Sequence, residues 1–591
     1  MIVIGSRMSD ATLERVIDEH VVYRPDLARR PQPLVEAIVA RLAPTALLVH
    51  ARDQAHFSSV AARCQLIVYS ARTPTTQEAA GAQRACVVQE DAIEDAESEA
   101  VIAAERLSVR YSGSVIHRTS NDDVVLVGAG IVNLVTALAL VDAGHRVAVH
   151  DRMRDPLAGH AGSRSELGAT FAGEDARVFS FNEARHHLVR SPDHARDDRL
   201  MFRRTVGDGG WLARATGELE RDDRAWVAAL EAMPPWLARE YGSDIMQFCV
   251  RSFAGWHRLF AEHPQVLRGT SFISRLLRVY QTEAGLARGR QAEAELGALL
   301  DELSLGELAV LEPALGQAIE AGAVAGALRV QGFSLQVQTL ARNLVRLLTE
   351  RGAQFHWSSE LEDVDRDAAG RVAAVVIGGR RVHAASYVVS PGALGASLRT
   401  RVTELAPIGA VAGMWVVLPN DEPRLTTALK VGRRAFASDA AAEGANVIPG
   451  RDAAGRPVLF CSSGHGFVGV QPGGVERAAV AELARCIEET VAELFPDKVV
   501  AARRALRSAP PGYCVRPWTP SGLGIFSADA TAAGGRFVVT DGHNTGGFAQ
   551  APEIAAAVAD ALAGVHHDMH ARYGLGRGDA FGAGERARPG S

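Results

Sequence analysis

The first hundred residues alternate short apolar runs with amphipathic stretches. Ile2 to Ile4, His20 to Tyr23, Ala46 to His50, Gln65 to Tyr69 and Cys86 to Gln89 have strand length and composition. Ser9 to Ile17 and Pro33 to Leu42 repeat apolar positions at helical spacing. Strands alternating with helices in this way predict a small, flavodoxin-like, doubly wound α/β domain over 1–118. The polar stretch Arg118 to Asp123 then reads as a linker. Beyond it, Val124 to Val127 is an apolar strand running into Gly128-Ala129-Gly130, followed by a helical run to Gly144 and a second strand from Arg146 to Asp151.

From about 200 to 325 the spacing is mostly helical. Trp226, Trp236, Tyr241, Phe248, Phe253, Trp256 and Phe260 recur at helical intervals and are expected to be core. Residues 326–395 return to a strand pattern around a helix from Gln338 to Arg351. Strands at Ala410 to Leu418 and Val458 to Ser462 precede a helix from Val475 to Leu494. Phe537 to Asp541 is again an apolar strand, passing through a glycine-rich turn into a helix that reaches about Leu562. The Gly-, Arg- and Ala-rich tail, 574–591, reads as disordered.

Composition narrows the class without naming it. A chain of 591 residues exceeds one hydrophobic core, and roughly three to four domain-sized units are expected. The balance of 63 basic and 69 acidic residues, net -6, marks no nucleic-acid or membrane-surface binder. Six cysteines without a CxxC pair or a Cys/His cluster argue against a metal site, an iron–sulfur cluster or a disulfide framework. No secretory leader and no apolar stretch approaching the ~20 residues of a membrane span is evident, so a cytoplasmic location is expected.

The segment from Val124 to Arg152 carries the chemistry of a dinucleotide site. Gly128, Gly130 and the first helical residue, Ile131, place backbone amides and the positive end of a helix dipole where a pyrophosphate binds. Asp151, 23 residues after Gly128, ends the second strand where an acid accepts ribose hydroxyls. Asn133 stands where the third glycine of the pattern belongs. Either the helix sits further from the strand or the amide finds a local partner.

Two further segments specify the class. Phe537-Val538-Val539-Thr540-Asp541-Gly542-His543-Asn544-Thr545-Gly546-Gly547-Phe548-Ala549-Gln550-Ala551-Pro552 and Arg516-Pro517-Trp518-Thr519-Pro520-Ser521-Gly522-Leu523-Gly524 follow the fingerprint in order. Over about 122–565 the chain resembles the D-amino acid oxidase superfamily of FAD enzymes, which includes glycine oxidase and sarcosine oxidase. The resemblance implies a Rossmann-like FAD-binding domain over 122–200, 326–395 and 510–565. Interleaved with it would be an α+β substrate or cap domain over 201–325 and 396–509. Residues 1–118, notably Val21 to Leu27 and Thr45 to Arg52, resemble the substrate-side domain of D-2-hydroxyacid dehydrogenases.

The same resemblance implies site roles. Asp151 and Arg152 would hold the adenosine end, with Glu360 and Leu361 at the adenine. Arg164, Gly168, Ala169 and Thr170 would follow the pyrophosphate and ring, and Ser390 to Ala393, with Gly392, would return beneath the cofactor. Gly542, Gly546, Gly547 and Phe548 would meet the flavin edge, where backbone donors and a helix dipole suit the negative charge of a reduced flavin. Arg516 matches the position where relatives bind a substrate carboxylate, for which a planar guanidinium is suited. His543 is placed to polarise the flavin edge or steer substrate, with a hydrogen-bonded turn histidine as the alternative. Lys430 matches a lysine that assists oxygen in sarcosine oxidases, and an alternative alignment puts Phe460 and Cys461 there. Cys514 stands where sarcosine oxidases attach their flavin covalently, but a buried free cysteine is the commoner arrangement and non-covalent FAD is expected.

The resulting expectation is FAD-dependent oxidation of the carbon–nitrogen bond of an amino acid or N-substituted amino acid by hydride transfer to flavin N5, giving an imine that hydrolyses. Oxygen or another acceptor would reoxidise the flavin. The fusion and the helical insertion suggest specialised biosynthesis. The alternatives are a flavin monooxygenase, or a partner-dependent assembly in which residues 1–118 dock another protein, channel an intermediate or form a homo-oligomer.

Overall fold

Strands covered on both faces need near-continuous apolar runs, and Val3, Ile4 and Ala46 to Val49 are completely buried. The computed structural model describes residues 2–9, 12, 21–60, 63–71, 85–90, 92–106, 123–158, 168–171, 176–181, 201–206, 210–213, 219–233, 235–402, 407–433, 445–470, 477–508 and 512–574. The linker residues 118–122, the loop carrying Gly162, Ser163 and Arg164, and tail residues 575–591 lie outside the described residues.

Two compact units are present, one comprising Met1–Ser112, Ala229–Glu240 and Asp568–Ser591, the other Gly113–Ala228 and Tyr241–His567. The first contains β1 (Ile2–Ile4), β2 (Val21–Tyr23), β3 (Ala46–His50), β4 (Gln65–Ala71) and β5 (Ala85–Glu90). All pair in parallel, in the order β2-β1-β3-β4-β5. Leu27, Val35, Val39, Phe57 and Val60 pack against Val3, Leu47, Val49, Leu66 and Val68 to form its core.

The second unit is built on two large sheets. One has six strands in the order β13 (Gln354–His356), β7 (Arg146–His150), β6 (Asp123–Val127), β17 (Ser386–Val389), β24 (Arg536–Asp541) and β23 (Ile525–Ala530). The first five are parallel and β23 closes the edge antiparallel. The helices α1 (Ile131–Asp142) and α5 (Gly547–Leu562) pack against each other. In an open parallel sheet, ligands bind beyond the carboxyl ends of the strands, and the loops after β6, β7, β17 and β24 all emerge there.

The other large sheet has eight strands in the order β10 (Leu299–Leu303), β11 (Gly326–Val330), β9 (Leu276–Tyr280), β19 (Ala428–Gly432), β20 (Ala445–Arg451), β21 (Pro457–Gly469), β18 (Gly409–Pro419) and β22 (Gly512–Trp518). The helix α4 (Arg477–Leu494) buries Leu483, Ile487, Val491 and Leu494 in the core around β18 and β21. Two small sheets complete the unit, β8 (Ala176–Ser180) with β12 (Gly332–Gln336), and β14 (Leu361–Arg366), β15 (Val372–Ile377) and β16 (Arg380–Val382).

The helical pattern over 200–325 holds for α2 (Pro235–Glu262) but conceals β9 and β10. Arg278 interrupts the apolar run of β9; it is buried and pairs with the buried Glu293 at 2.8 Å. A charge that would place a residue outside is thus satisfied internally, and the strand reads as more polar than its environment. Trp226, Tyr241, Phe248, Trp256 and Phe260 are core residues, and Phe253 is half-buried. The Trp236 side chain lies outside what is described. The helix α3 (Val337–Glu350) buries Leu340, Ala341, Leu344, Leu347 and Leu348 along one face.

Candidate active site

The turn after β6 is fixed by backbone geometry. Gly128 adopts φ +97°, donates its N–H to the His150 carbonyl at 2.8 Å, and lies so close to the Ser390 carbonyl oxygen that a Cβ would overlap it. A left-handed backbone and a backbone neighbour together require glycine here. At Gly130, which caps α1, a Cβ would meet only Thr170 Oγ1, at 3.7 Å. The space above Gly130 is therefore open to a ligand and is filled by none of the described residues. Ile131 donates its N–H to Thr170 Oγ1 at 3.0 Å.

Asn133 resolves the broken glycine pattern. Its Nδ2 donates to the carbonyls of Val127 and Gly128, each at 2.9 Å, so the amide ties the helix to the turn that the third glycine would otherwise let approach. Asp151 also holds the turn. One carboxylate oxygen accepts the Ala129 N–H at 2.6 Å and the other the Met153 N–H at 2.7 Å. Burial raises its pKa, opposed by those amides and by Arg152. Each oxygen keeps a further lone pair for a hydroxyl donor.

A cavity with about 1130 Å³ of empty space, part of it open solvent, is lined both by this turn and by the end of β24. Its lining brings together Gly128, Gly130, Ile131, Asp151 and Arg152 with Thr170, Gly392 and Val337 and with Arg516, His543, Gly547 and Phe548. A smaller cavity beside the turn is lined by Asp151, Arg152, Glu360 and Leu361. Residues far apart in the sequence thus converge on one concave space. Gly168 and Ala169 form one short helix with the cavity-lining Thr170.

Gly542 follows β24 with φ +69°, and a Cβ there would lie 2.5 Å from Thr519 Cγ2. Gly546 caps α5, which begins at Gly547. The Phe548 carbonyl accepts the Trp256 indole N–H at 3.2 Å, and the two rings lie 5.0 Å apart. Gly255 permits this docking, since a Cβ would come within 2.6 Å of Pro552 Cβ. His543 is buried, its Nε2 2.9 Å from Thr540 Oγ1, and burial pushes the imidazole down to about 3. It is neutral at physiological pH, a hydrogen-bonding group and not a cation.

Arg516 projects from β22 across β18 toward β21. It donates through Nη1 to the Gly464 carbonyl at 3.0 Å and lies over Gly413, where a Cβ would overlap the guanidinium; a Cβ at Gly464 would reach 3.0 Å from Nη2. Two strand glycines thus form the bed on which the guanidinium lies, with the register slipping beside Gly413 between Ala412 and Met414. Gly413→Ala is expected to leave the fold and FAD content intact, because the flexible guanidinium moves aside. Steady-state kinetics should then show a raised KM for a carboxylate-bearing substrate, and an unchanged KM would show that the bed does not position Arg516.

Arg177, from β8, lines the same cavity and donates to Cys514 Sγ at 3.2 Å. Cys514 is buried. Lys430 is buried within β19, with Nζ 3.3 Å from Ser180 Oγ, and is not among the described residues that line the cavity. Phe460 and Cys461 lie two strands away in β21 and do not line it either. The apolar neighbours of Lys430 in sequence gave no indication of which wall of the sheet it serves.

A family model described as FAD dependent oxidoreductase (DAO) matches residues 123–561. The chain belongs to this family. Its fold is similar to glycine oxidase from Geobacillus kaustophilus, with TM-score 0.50 and 19% identity over 76% of this chain and 96% of that one. It is likewise similar to glycine oxidase from Bacillus cereus ATCC 14579, with TM-score 0.51 and 14% identity over 77% and 98%. The family's cofactor fits the residues present: glycine turns and helix N-termini line the cavity, and the space above Gly130 is filled by no side chain among the described residues.

Sequence reasoning missed Gly413, Gly464, Arg177 and Asp541. The first two carried a readable signal, since a glycine inside a strand marks a bulge or a close approach. Asp541, an acid ending an apolar strand, was equally visible. Arg177 was not, because nothing local aligns β8 with β22.

Proposed function

We propose that this FAD-dependent oxidoreductase oxidises the carbon–nitrogen bond of a carboxylate-bearing primary or secondary amine. The observation that carries this reading is Arg516, a guanidinium supported by Gly413 and Gly464 on the wall of the cavity that also holds His543 and the Gly546–Phe548 turn. Arg516 binds the substrate carboxylate as a bidentate fork and so sets the distance of the reacting carbon from that turn. His543, neutral and buried, orients substrate through a hydrogen bond without adding charge. FAD, when bound, supplies the two-electron acceptor for the oxidation, and the imine product hydrolyses in water. That two solved structures of similar fold are named glycine oxidases fits an amino-acid substrate. A matched pair tests the reading: an amino acid should reduce the enzyme far faster than the amine obtained by removing its carboxyl group, and equal rates would reject carboxylate recognition.

A further inference from the structure

Asp541 has no part in the scheme above, yet it is the most unusual ionisable group on the cavity wall. It ends β24 at 2% exposure, wholly inside the protein. Its Oδ1 accepts the Gly542 N–H at 2.7 Å, and the Gly392 N–H favours its charged form too. Its Oδ2 has no hydrogen-bond partner among the described residues. Burial outweighs both amides and pushes the carboxyl up to about 7. A buried carboxyl with one oxygen unsatisfied is costly.

Its position narrows what completes it. In the sheet order β6-β17-β24, the Gly128 turn follows β6, Gly392 follows β17 and Asp541 ends β24. The Gly128 turn offers amides to phosphates, and a carboxylate placed among phosphates would repel them. The Gly546–Phe548 turn serves the ring. Between these lies the neutral, hydroxyl-bearing segment of the cofactor, whose O–H groups are donors.

We propose that Asp541 is a cofactor-binding residue, its Oδ2 accepting a hydrogen bond from a hydroxyl of the polyol chain of FAD, so that FAD loading is coupled to loss of one proton. This rests on the family's use of FAD. Among the described residues, the other ionisable side chains lining the same cavity are Asp151, Arg152, Arg177, Arg516 and His543. On the flanking strands, β23 sets Ile525 opposite Asp541 and carries its own acid, Asp529, opposite Phe537; β17 carries Tyr387, also opposite Phe537. On α5 the acids Glu553 and Asp560 lie beyond the first turn. Among the described residues none of these contributes to the Asp541 shift, which arises from burial against two amides. An acid whose native pKa lies above its unfolded value stabilises the native state at low pH and loses that contribution as pH rises through the native pKa. The apo-protein therefore loses this contribution as pH rises from the ordinary carboxylate range to about 7, above which nothing further is lost. A hydroxyl donor restores it by stabilising the anion, and the released proton passes to buffer.

FAD binding to apo-protein, followed by quenching of flavin fluorescence, should tighten between pH 6 and pH 8. Calorimetry at pH 6 in two buffers of different ionisation enthalpy should show net proton release approaching about one per FAD. Asp541→Asn should weaken FAD binding by about tenfold or more at pH 8 and abolish the pH dependence. Proton release of zero in the wild type, or equal FAD affinity of wild type and Asp541→Asn at pH 8, overturns the proposal. Wild-type protein that binds no FAD at all would instead remove the family assignment on which it rests. A variant that fails to fold leaves the wild-type proton count decisive.

Discussion

Arg516→Ala is expected to raise the substrate KM by about a hundredfold or more while the purified protein keeps its full complement of FAD. The magnitude follows from breaking a charge pair in a partly desolvated site, about 2–5 kcal/mol. The selectivity follows from position. The guanidinium is held by the Gly464 carbonyl and the Gly413 bed in the eight-stranded sheet, whereas the turns at Gly128 and Gly542 belong to the six-stranded sheet. Arg516→Lys keeps the charge but loses the planar fork, so it should recover only part of the loss. Amines without a carboxylate should react with variant and wild type alike. Steady-state kinetics with flavin quantification decides the matter: parallel loss of FAD and of substrate affinity would make Arg516 a structural residue.

Gly128→Ala should abolish FAD retention and lower apo-protein stability. Two costs add. A left-handed backbone at φ +97° burdens a residue bearing a Cβ by about 1–3 kcal/mol, and the methyl group would overlap the Ser390 carbonyl, a backbone atom that moves only if β6 and β17 separate. Gly130→Ala provides the contrast. Its Cβ would meet only Thr170 Oγ1 at 3.7 Å and its φ of −66° is ordinary, so the apo-protein should melt as the wild type does and still lose FAD affinity. Thermal unfolding of both apo-variants, alongside FAD titration, separates a glycine required by the fold from one that clears space for a ligand. Equal melting temperatures would contradict the strain ascribed to Gly128.

Local patterns carried the nucleotide-binding half of this molecule. The β6–α1–β7 unit, the Asp541–Phe548 turn and the helix after it were legible because strand, turn and helix follow one another within a few residues, and each turn needs glycine for a local reason. Asn133 shows the limit: its departure from the pattern was visible, but that its amide ties Val127 and Gly128 depends on a rotamer no spacing encodes. β9 was hidden because Arg278 reads as a surface charge until its buried partner, Glu293, is known. The bed under Arg516 is assembled from three neighbouring strands whose register is set by a bulge at Gly413, a long-range fact. Lys430 was assigned by resemblance alone, and its strand lies four places from β22 in the sheet.

Anaerobic mixing of the purified protein with carboxylate-bearing primary and secondary amines tests the central claim most directly. The protein should be yellow, or become so on adding FAD, and its flavin absorbance near the visible maximum should bleach with at least one amine that carries a carboxylate, at a rate that Arg516→Ala reduces. A protein that takes up FAD but is reduced only by NADPH, with no bleaching by any such amine, would contradict it.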